Sequence, residues 1–194
     1  MTLNSTAGDP TAESYFAVAD ADTYFSSRGV AAWAAATVTE KEQAARKGTS
    51  YLDNAYRERW KGITSTQEQA LSWPRVDGTR GQGSYAANVS AGFVYPLFDI
   101  NGWQIPIDVV PTQVKRAAME AALLALGGTV LEPALVRGGQ IKSIDKSVGP
   151  LRKAIVYVDG APAIDRYTAI DGLLRGLVTG SPGAMSGNIS LVRA

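Results

Sequence analysis

Two tryptophans with neighbouring cationic side chains are the residues whose types and spacing best suit a chemical task. Trp60 lies in the segment Arg57-Glu58-Arg59-Trp60-Lys61-Gly62, and Trp73-Pro74-Arg75 follows it further along the chain. Cations that neutralise phosphates, interleaved with rings that stack on bases, are typical of proteins that bind single-stranded nucleic acid. The same residues also suit a structural role, in which both indoles pack on the preceding helix while the arginines stay solvated or pair with carboxylates. The rigid Trp-Pro dipeptide favours the structural role, because it is typical of a buried corner.

The chain contains neither histidine nor cysteine, and this removes most catalytic chemistry. A Ser-His-Asp triad, a cysteine nucleophile, a disulfide framework and a zinc or haem site held by His or Cys are all excluded. Chemistry would have to rest on carboxylates, Lys, Tyr, Ser or an oxygen-ligated metal. No pair of carboxylates stands out as a general acid and base. We therefore predict a protein that is not an enzyme, with no catalytic, metal-binding or cofactor-binding residue.

Two further motifs are weaker candidates for binding sites. The glycine-rich segment GTRGQG, residues 78–83, has neither the lysine of a phosphate-binding loop nor a strand–turn–helix context, so a plain loop explains it better. Asp20 and Asp22 lack the regular oxygen-ligand spacing and the bidentate Glu of a calcium loop. Helix capping is the better interpretation of these two carboxylates.

Charge balance and hydropathy limit the class of protein further. The 194 residues include 19 Lys and Arg against 18 Asp and Glu, which gives a formal net charge of +1. A dedicated nucleic-acid binder usually has a strong basic excess, so a DNA contact here would have to be a local basic patch. Residues 1–10 lack the apolar core of a signal peptide, and no apolar run is long enough to span a membrane. We expect a protein made in a cytoplasm, without a membrane partner.

Hydrophobic periodicity predicts a mainly α-helical fold, a small helical bundle with a short β element or hairpin and extended arms at both ends. The helical domain is expected over residues 14–178. Residues 1–13 are small, polar and interrupted by Pro and Gly, which predicts a flexible lead-in. Residues 179–194 begin with a flexible spacer and end in a β-prone tip, a pattern typical of an arm that becomes ordered on a partner.

Two helices, near 40–56 and 111–126, are predicted to form the core pair. Thr39 and Glu42 fit a capping box at the start of the first helix, and small residues along the second would let a neighbouring helix approach closely. The Gly- and Ser-rich stretch 76–101 predicts a long loop that includes a hairpin over 92–100. Alternating apolar residues and a following turn signal predict a β element over 139–158.

A larger pattern resembles one family of tailed-phage proteins, the head–tail connectors, which are also described as adaptor or head-completion proteins. It covers about three-quarters of the chain, from Tyr15 and the run 19–25 to Leu173-Leu174, and its most specific part lies between residues 51 and 75. Similar sequences also carry the label DnaT-like single-stranded DNA-binding protein. The residues that match the family motif are Tyr51, Leu52, Asp53, Trp60, Gly62, Trp73, Pro74 and Arg75.

The resemblance implies a twelvefold homo-oligomeric ring in the neck of the virion, assembled after synthesis in the host bacterial cytoplasm. The ring would bind the portal protein, extend the channel for double-stranded DNA, and dock the next neck or tail protein, such as a stopper or tail terminator. On this interpretation Arg57, Arg59 and Lys61 face DNA or a neighbouring subunit. The arm that binds the portal would include Ile189, Leu191, Val192 and Arg193. The alternative is a DnaT-like replication protein that binds single-stranded DNA.

Overall fold

A computed structural model of the protein describes residues 2–78, 95–131 and 167–179, and the backbone of 141–147 and 152–157. Within these residues the fold is mainly helical, as predicted. The helices are α1 (Val18–Ser26), α2 (Ala31–Ala35), α3 (Val38–Tyr56), α4 (Thr112–Leu126) and α5 (Thr168–Leu173). The strands are β1 (Ile63–Thr64), β2 (Arg75–Val76), β3 (Leu97–Phe98), β4 (Gln104–Ile105), β5 (Ile141–Ser147) and β6 (Arg152–Tyr157), and they pair β1–β2, β3–β4 and β5–β6, each antiparallel.

Helices α3 and α4 form the central pair of the core, and the prediction of this pair is confirmed. Gly48 of α3 faces Ala118 and Ala122 of α4, and a Cβ on Gly48 would lie 2.6 Å from the Ala122 nitrogen and 2.7 Å from the Ala118 oxygen. Both alanines are fully buried. The two backbones can therefore approach this closely only because the contact consists of small residues.

The capping box of α3 lies two residues earlier than predicted. The Thr37 hydroxyl accepts a hydrogen bond from the Glu40 N–H at 3.3 Å, and the Glu40 carboxylate accepts one from the Thr37 N–H at 2.8 Å. The predicted partner Glu42 instead lies 3.7 Å from Arg46, one turn further along the helix. Because Thr37 and Thr39 both stand three residues before a Glu, the sequence pattern fits either register.

Asp22 joins the first three helices. Its Oδ1 accepts hydrogen bonds from the Trp33 indole of α2 at 2.8 Å and from the Lys41 ammonium of α3 at 2.9 Å. Burial raises the pKa of Asp22, but the hydrogen bonds from Lys41 and Trp33 outweigh it, so the pKa lies below its ordinary value. Asp22 is therefore a structural acceptor inside α1. The interpretation of Asp20 and Asp22 as helix caps is wrong, because α1 begins at Val18 and its N-cap residue is Ala17, without a side-chain cap.

The N-terminal segment packs against the domain, in contrast to the predicted flexible lead-in. The Asn4 carbonyl accepts from the Glu13 N–H at 2.8 Å, the Asp9 carbonyl accepts from the Ala70 N–H at 3.3 Å, and Glu13 pairs with Arg46 at 2.9 Å. The polar residues that suggested mobility are used in these bonds. The segment therefore covers the helical core as a folded turn.

Strands β5 and β6 lie within the predicted β element at 139–158 and pair from Ile141 with Tyr157 to Ser147 with Arg152. The C-terminal arm with Ile189, Leu191, Val192 and Arg193 lies outside the described residues, as do residues 79–94 of the predicted long loop. None of the helices that the structure describes combines the length and the hydropathy needed to cross a bilayer.

Candidate nucleic-acid interface

The tryptophans of the Trp and Arg cluster are part of the core. Trp60 and Trp73 are 4% and 1% exposed, and their ring centroids lie 5.7 Å apart with the planes nearly perpendicular. Trp60 also contacts the Tyr56 ring at 5.6 Å. A base can stack only on an accessible ring face, so the burial of these two indoles favours the structural interpretation of their role.

The Arg75 side chain is also buried. Its guanidinium donates hydrogen bonds to the carbonyl oxygens of Lys61 at 2.8 Å, Ser72 at 3.0 Å and Gly62 at 2.5 Å. Burial lowers the pKa of Arg75, and the opposing charges of Tyr15 and Asp53 limit this effect. Because the three N–H groups already have acceptors, Arg75 holds the 61–75 loop closed and is not placed to contact a phosphate.

Asp53 connects the same loop to the N-terminal segment. One carboxylate oxygen accepts a hydrogen bond from the Tyr15 hydroxyl, and the other accepts from the Ser72 N–H at 3.2 Å. Burial raises the pKa of Asp53, although these two hydrogen bonds and the Arg57 charge act against the increase. Burial likewise raises the pKa of Tyr15 well above its ordinary value.

The remaining residues of the family motif have structural positions as well. Tyr51, Leu52 and Pro74 are buried. Gly62 has a φ of +68°, and a Cβ there would overlap the Val76 carbonyl oxygen, so the position requires glycine. The specific part of the family motif therefore explains how the core is built.

Arg57, Arg59 and Lys61 differ from the motif residues, since Arg57 is exposed and the other two are partly exposed. Their backbone is held by the segment that follows α5. The Lys61 N–H donates to the Leu177 oxygen at 3.0 Å, and the Thr179 N–H donates to the Arg59 oxygen at 2.6 Å. The same segment contains a further exposed cation, Arg175, two residues before Leu177.

A hairpin that lies against the segment after α5 adds exposed aromatic and apolar side chains. Strands β3 and β4 pair Leu97 with Ile105 and Phe98 with Gln104, so the hairpin lies later in the chain than the predicted one over 92–100. Asp99 orders its turn by accepting hydrogen bonds from the N–H groups of Asn101 and Trp103, both at 2.8 Å. The prediction failed because it stopped before the Asn101-Gly102 dipeptide, which is a strong hairpin signal.

Trp103, in the turn of this hairpin, is 75% exposed, and Ile100 is 64% exposed. A Cβ on Gly176 would lie 3.0 Å from the Ile100 Cβ, so the turn of the hairpin lies against the residue that follows Arg175. We call this surface the hairpin patch. We assign to it the exposed and partly exposed side chains of the hairpin turn and of the two segments, 57–61 and 175–179, that the backbone bonds join: Arg57, Arg59, Lys61, Ile100, Trp103 and Arg175.

The hairpin patch has only a small excess of positive charge. Its four cations share their segments with Glu58, Asp99 and Asp171. Two of these carboxylates have structural partners, since Asp99 orders the hairpin turn and Asp171 accepts from the Tyr56 hydroxyl at 2.6 Å. The patch can therefore offer one stacking ring and several phosphate contacts, but no strongly basic field.

No group of His, Cys, Asp or Glu among the described residues is arranged to hold a metal ion.

Comparison with curated proteins finds no match, and comparison with solved structures finds none either. A family model does match, over residues 1–92 and 93–194, which together span the chain. Since that model is described as "Putative DnaT-like ssDNA binding protein", the chain belongs to this DnaT-like family.

Proposed function

We propose that this protein binds single-stranded DNA through the hairpin patch. The family description supports the ligand, and the observation that supports the site is the exposed Trp103, in a hairpin whose turn lies against Gly176, next to the exposed Arg175. Base stacking on an aromatic side chain contributes about 1–3 kcal/mol per base and tolerates any sequence. Arg57, Arg59, Lys61 and Arg175 would contact the phosphates on either side of the stacked base.

The small charge excess of the hairpin patch determines what kind of binding to expect. Each phosphate contact releases counterions, and for single strands the logarithm of affinity falls by about 0.7 per contact for each tenfold rise in salt. Four cations offset by neighbouring carboxylates support few contacts, so the affinity is modest and most of it depends on Trp103. The proposal assigns the protein no enzymatic activity and no cofactor.

The test is a fluorescence anisotropy titration of a labelled poly-thymidine oligonucleotide at low salt and at physiological salt. Trp103→Ala is expected to weaken binding by about tenfold or more, which corresponds to about 1.4 kcal/mol. Val38→Ala is the matched control, because Val38 is 64% exposed and lies outside the patch. Absence of binding by the unmodified protein at low salt, or equal affinities for the two variants, would contradict the proposal.

We infer a second candidate function, the head–tail connector of a tailed phage, from the resemblance of the motif residues and from the exposed apolar side chains. Besides Ile100 and Trp103, large apolar side chains are exposed at Val109 and Val130. Subunits of a ring would cover such residues against one another. On this proposal the ring binds the portal, and residues 179–194 form the attachment arm.

Particle size and portal binding distinguish the two functions. A connector is expected to form closed rings in negative-stain images, alone or on purified portal, and to lose portal attachment when residues 181–194 are removed. A strictly monomeric protein that never decorates portal would contradict the connector, whereas the oligonucleotide titration tests DNA binding independently. Rings that also bind single strands through Trp103 would support both functions.

A further inference from the structure

A second basic surface lies apart from the hairpin-patch residues, between the end of α1 and the first turns of α4. It is a groove of about 430 Å3, lined by Tyr24 of α1, Arg28 of the turn after α1, and Thr112, Lys115 and Arg116 of α4. The turn after α1 and the start of α4 therefore contribute three cations to one concave surface. We call it the α1–α4 groove.

The cations of the α1–α4 groove are positioned by local contacts. The Arg28 guanidinium lies 3.5 Å from the centre of the Tyr24 ring and donates to the Tyr24 carbonyl oxygen at 2.9 Å. The Tyr24 hydroxyl donates to Glu120 at 2.8 Å, which gives that carboxylate a partner within the protein. Burial raises the pKa of Tyr24, and the charges of Arg28 and Arg116 act against this rise because both lie near the ring.

The cations outnumber the carboxylates at this groove. Asp20 is the one carboxylate among the described residues that line the groove. Among those same residues, Arg28, Lys115 and Arg116 form no ion pair. Three cations against Asp20 and the neighbouring Glu120, which accepts from the Tyr24 hydroxyl, leave a formal charge of +1. The first turn of α4 has no acidic residue and no side-chain cap, so its N–H groups add to the positive potential.

We propose that the α1–α4 groove binds a phosphate group. Phosphate matches the site because two guanidinium groups can each donate paired hydrogen bonds to its oxygens, and an ammonium adds a point charge. The groove has space for more than one phosphate, so the ligand is either a free phosphate compound or the phosphodiester backbone of a polynucleotide. The proposal does not depend on the hairpin patch, since the two surfaces share no residue.

The test combines NMR with paired variants. Inorganic phosphate, and separately a poly-thymidine oligonucleotide, is titrated into the isotope-labelled full chain while the amide signals of Thr112, Lys115 and Arg28 are followed. Saturable shifts are expected with at least one of these ligands. Lys115→Gln with Arg116→Gln is expected to weaken that response at least tenfold. The control, Lys47→Gln, removes a cation from an exposed position that belongs to neither surface and leaves the response unchanged.

The two titrations separate the possible sources of phosphate. Loss of the phosphate response alone in the groove variant assigns a free phosphate compound, and loss of the oligonucleotide response assigns a polynucleotide backbone. If neither ligand shifts these amides, or if the groove variant responds like the unmodified protein, the proposal is wrong. A protein that binds no oligonucleotide would contradict the proposed function, while a phosphate response would still support the groove.

Discussion

Gly48 of α3 lies against Ala122 of α4 with no space for a side chain between the two backbones. A helix interior normally favours alanine over glycine by about 1 kcal/mol, so glycine at this position has a local cost. The close approach outweighs that cost, because it lets two long helices bury Val114, Ala118 and Leu52 in one shared interface. The tertiary contact, rather than helix propensity, therefore explains the glycine.

Gly48→Ala is predicted to lower the free energy of unfolding by about 1–3 kcal/mol, because the added methyl group must push α3 and α4 apart. Gly172→Ala is the matched control. Gly172 is also in a helix, α5, but a Cβ there meets no atom within 4 Å, so this variant is expected to be neutral or more stable by up to about 1 kcal/mol. Urea denaturation measures the free energy of unfolding of both variants. If the two variants are equally stable, the close contact between α3 and α4 at Gly48 is contradicted.

Arg75→Lys is predicted to lower the free energy of unfolding by about 2–4 kcal/mol, although the charge is kept. A lysine ammonium cannot reach the Lys61, Gly62 and Ser72 carbonyl oxygens together, so at least one buried carbonyl loses its donor. Arg57→Lys, at an exposed position, is expected to change stability by less than about 0.5 kcal/mol. Thermal unfolding measures both variants. If Arg75→Lys also changes the free energy of unfolding by less than about 0.5 kcal/mol, the three hydrogen bonds do not contribute to stability as predicted.

The sequence could predict the features that depend on local patterns. The helices around Gly48 and Ala118, and the structural role of Trp60, follow from periodicity and residue type. Trp103 was missed because its importance depends on the contact of its hairpin, at Ile100, with Gly176, which is distant in sequence. The α1–α4 groove was missed for the same reason, since Arg28 and Arg116 meet only in the folded chain.

The stability contributed by Asp53 is predicted to fall as pH rises in the acid range. Burial raises its folded pKa above the ordinary value of 3.8, so the folded state binds a proton more readily than the unfolded state. The contribution is therefore fully present at the lowest pH and is lost as pH rises through the folded pKa. Tyr15, Arg57 and Arg75 are the titratable or charged groups that act on this carboxyl.

The pH dependence of Asp53 can be isolated with Asp53→Asn, which cannot titrate at this position. The unfolding free energy of the unmodified protein minus that of the variant should decrease from low pH upward and then become constant. Asp9 and Glu13, whose pKa values are lowered by hydrogen bonds, cancel in this difference because both proteins contain them. A difference that increases with pH would mean that the fold stabilises the ionised carboxylate.

Collisional quenching of tryptophan fluorescence should separate the buried indoles from the exposed one. Of the four tryptophans, Trp33, Trp60 and Trp73 are at most 4% exposed, whereas Trp103 is 75% exposed. Iodide is therefore expected to quench emission from Trp103 alone. Trp103→Phe should abolish the quenchable fraction, while Trp60→Phe should retain it and lower the unfolding free energy by about 1–3 kcal/mol through the cavity it leaves.

The same quenching measurement tests whether single-stranded DNA covers the hairpin patch. A base stacked on Trp103 blocks the approach of iodide, so an oligonucleotide at saturating concentration should reduce the quenchable fraction in the unmodified protein and in Trp60→Phe. Iodide quenching needs no label on the oligonucleotide, so it is independent of the anisotropy titration that measures affinity. If DNA binds but iodide still quenches Trp103 fully, the strand contacts another surface. The α1–α4 groove, with Lys115 and Arg116, is then the next candidate for the DNA-binding surface.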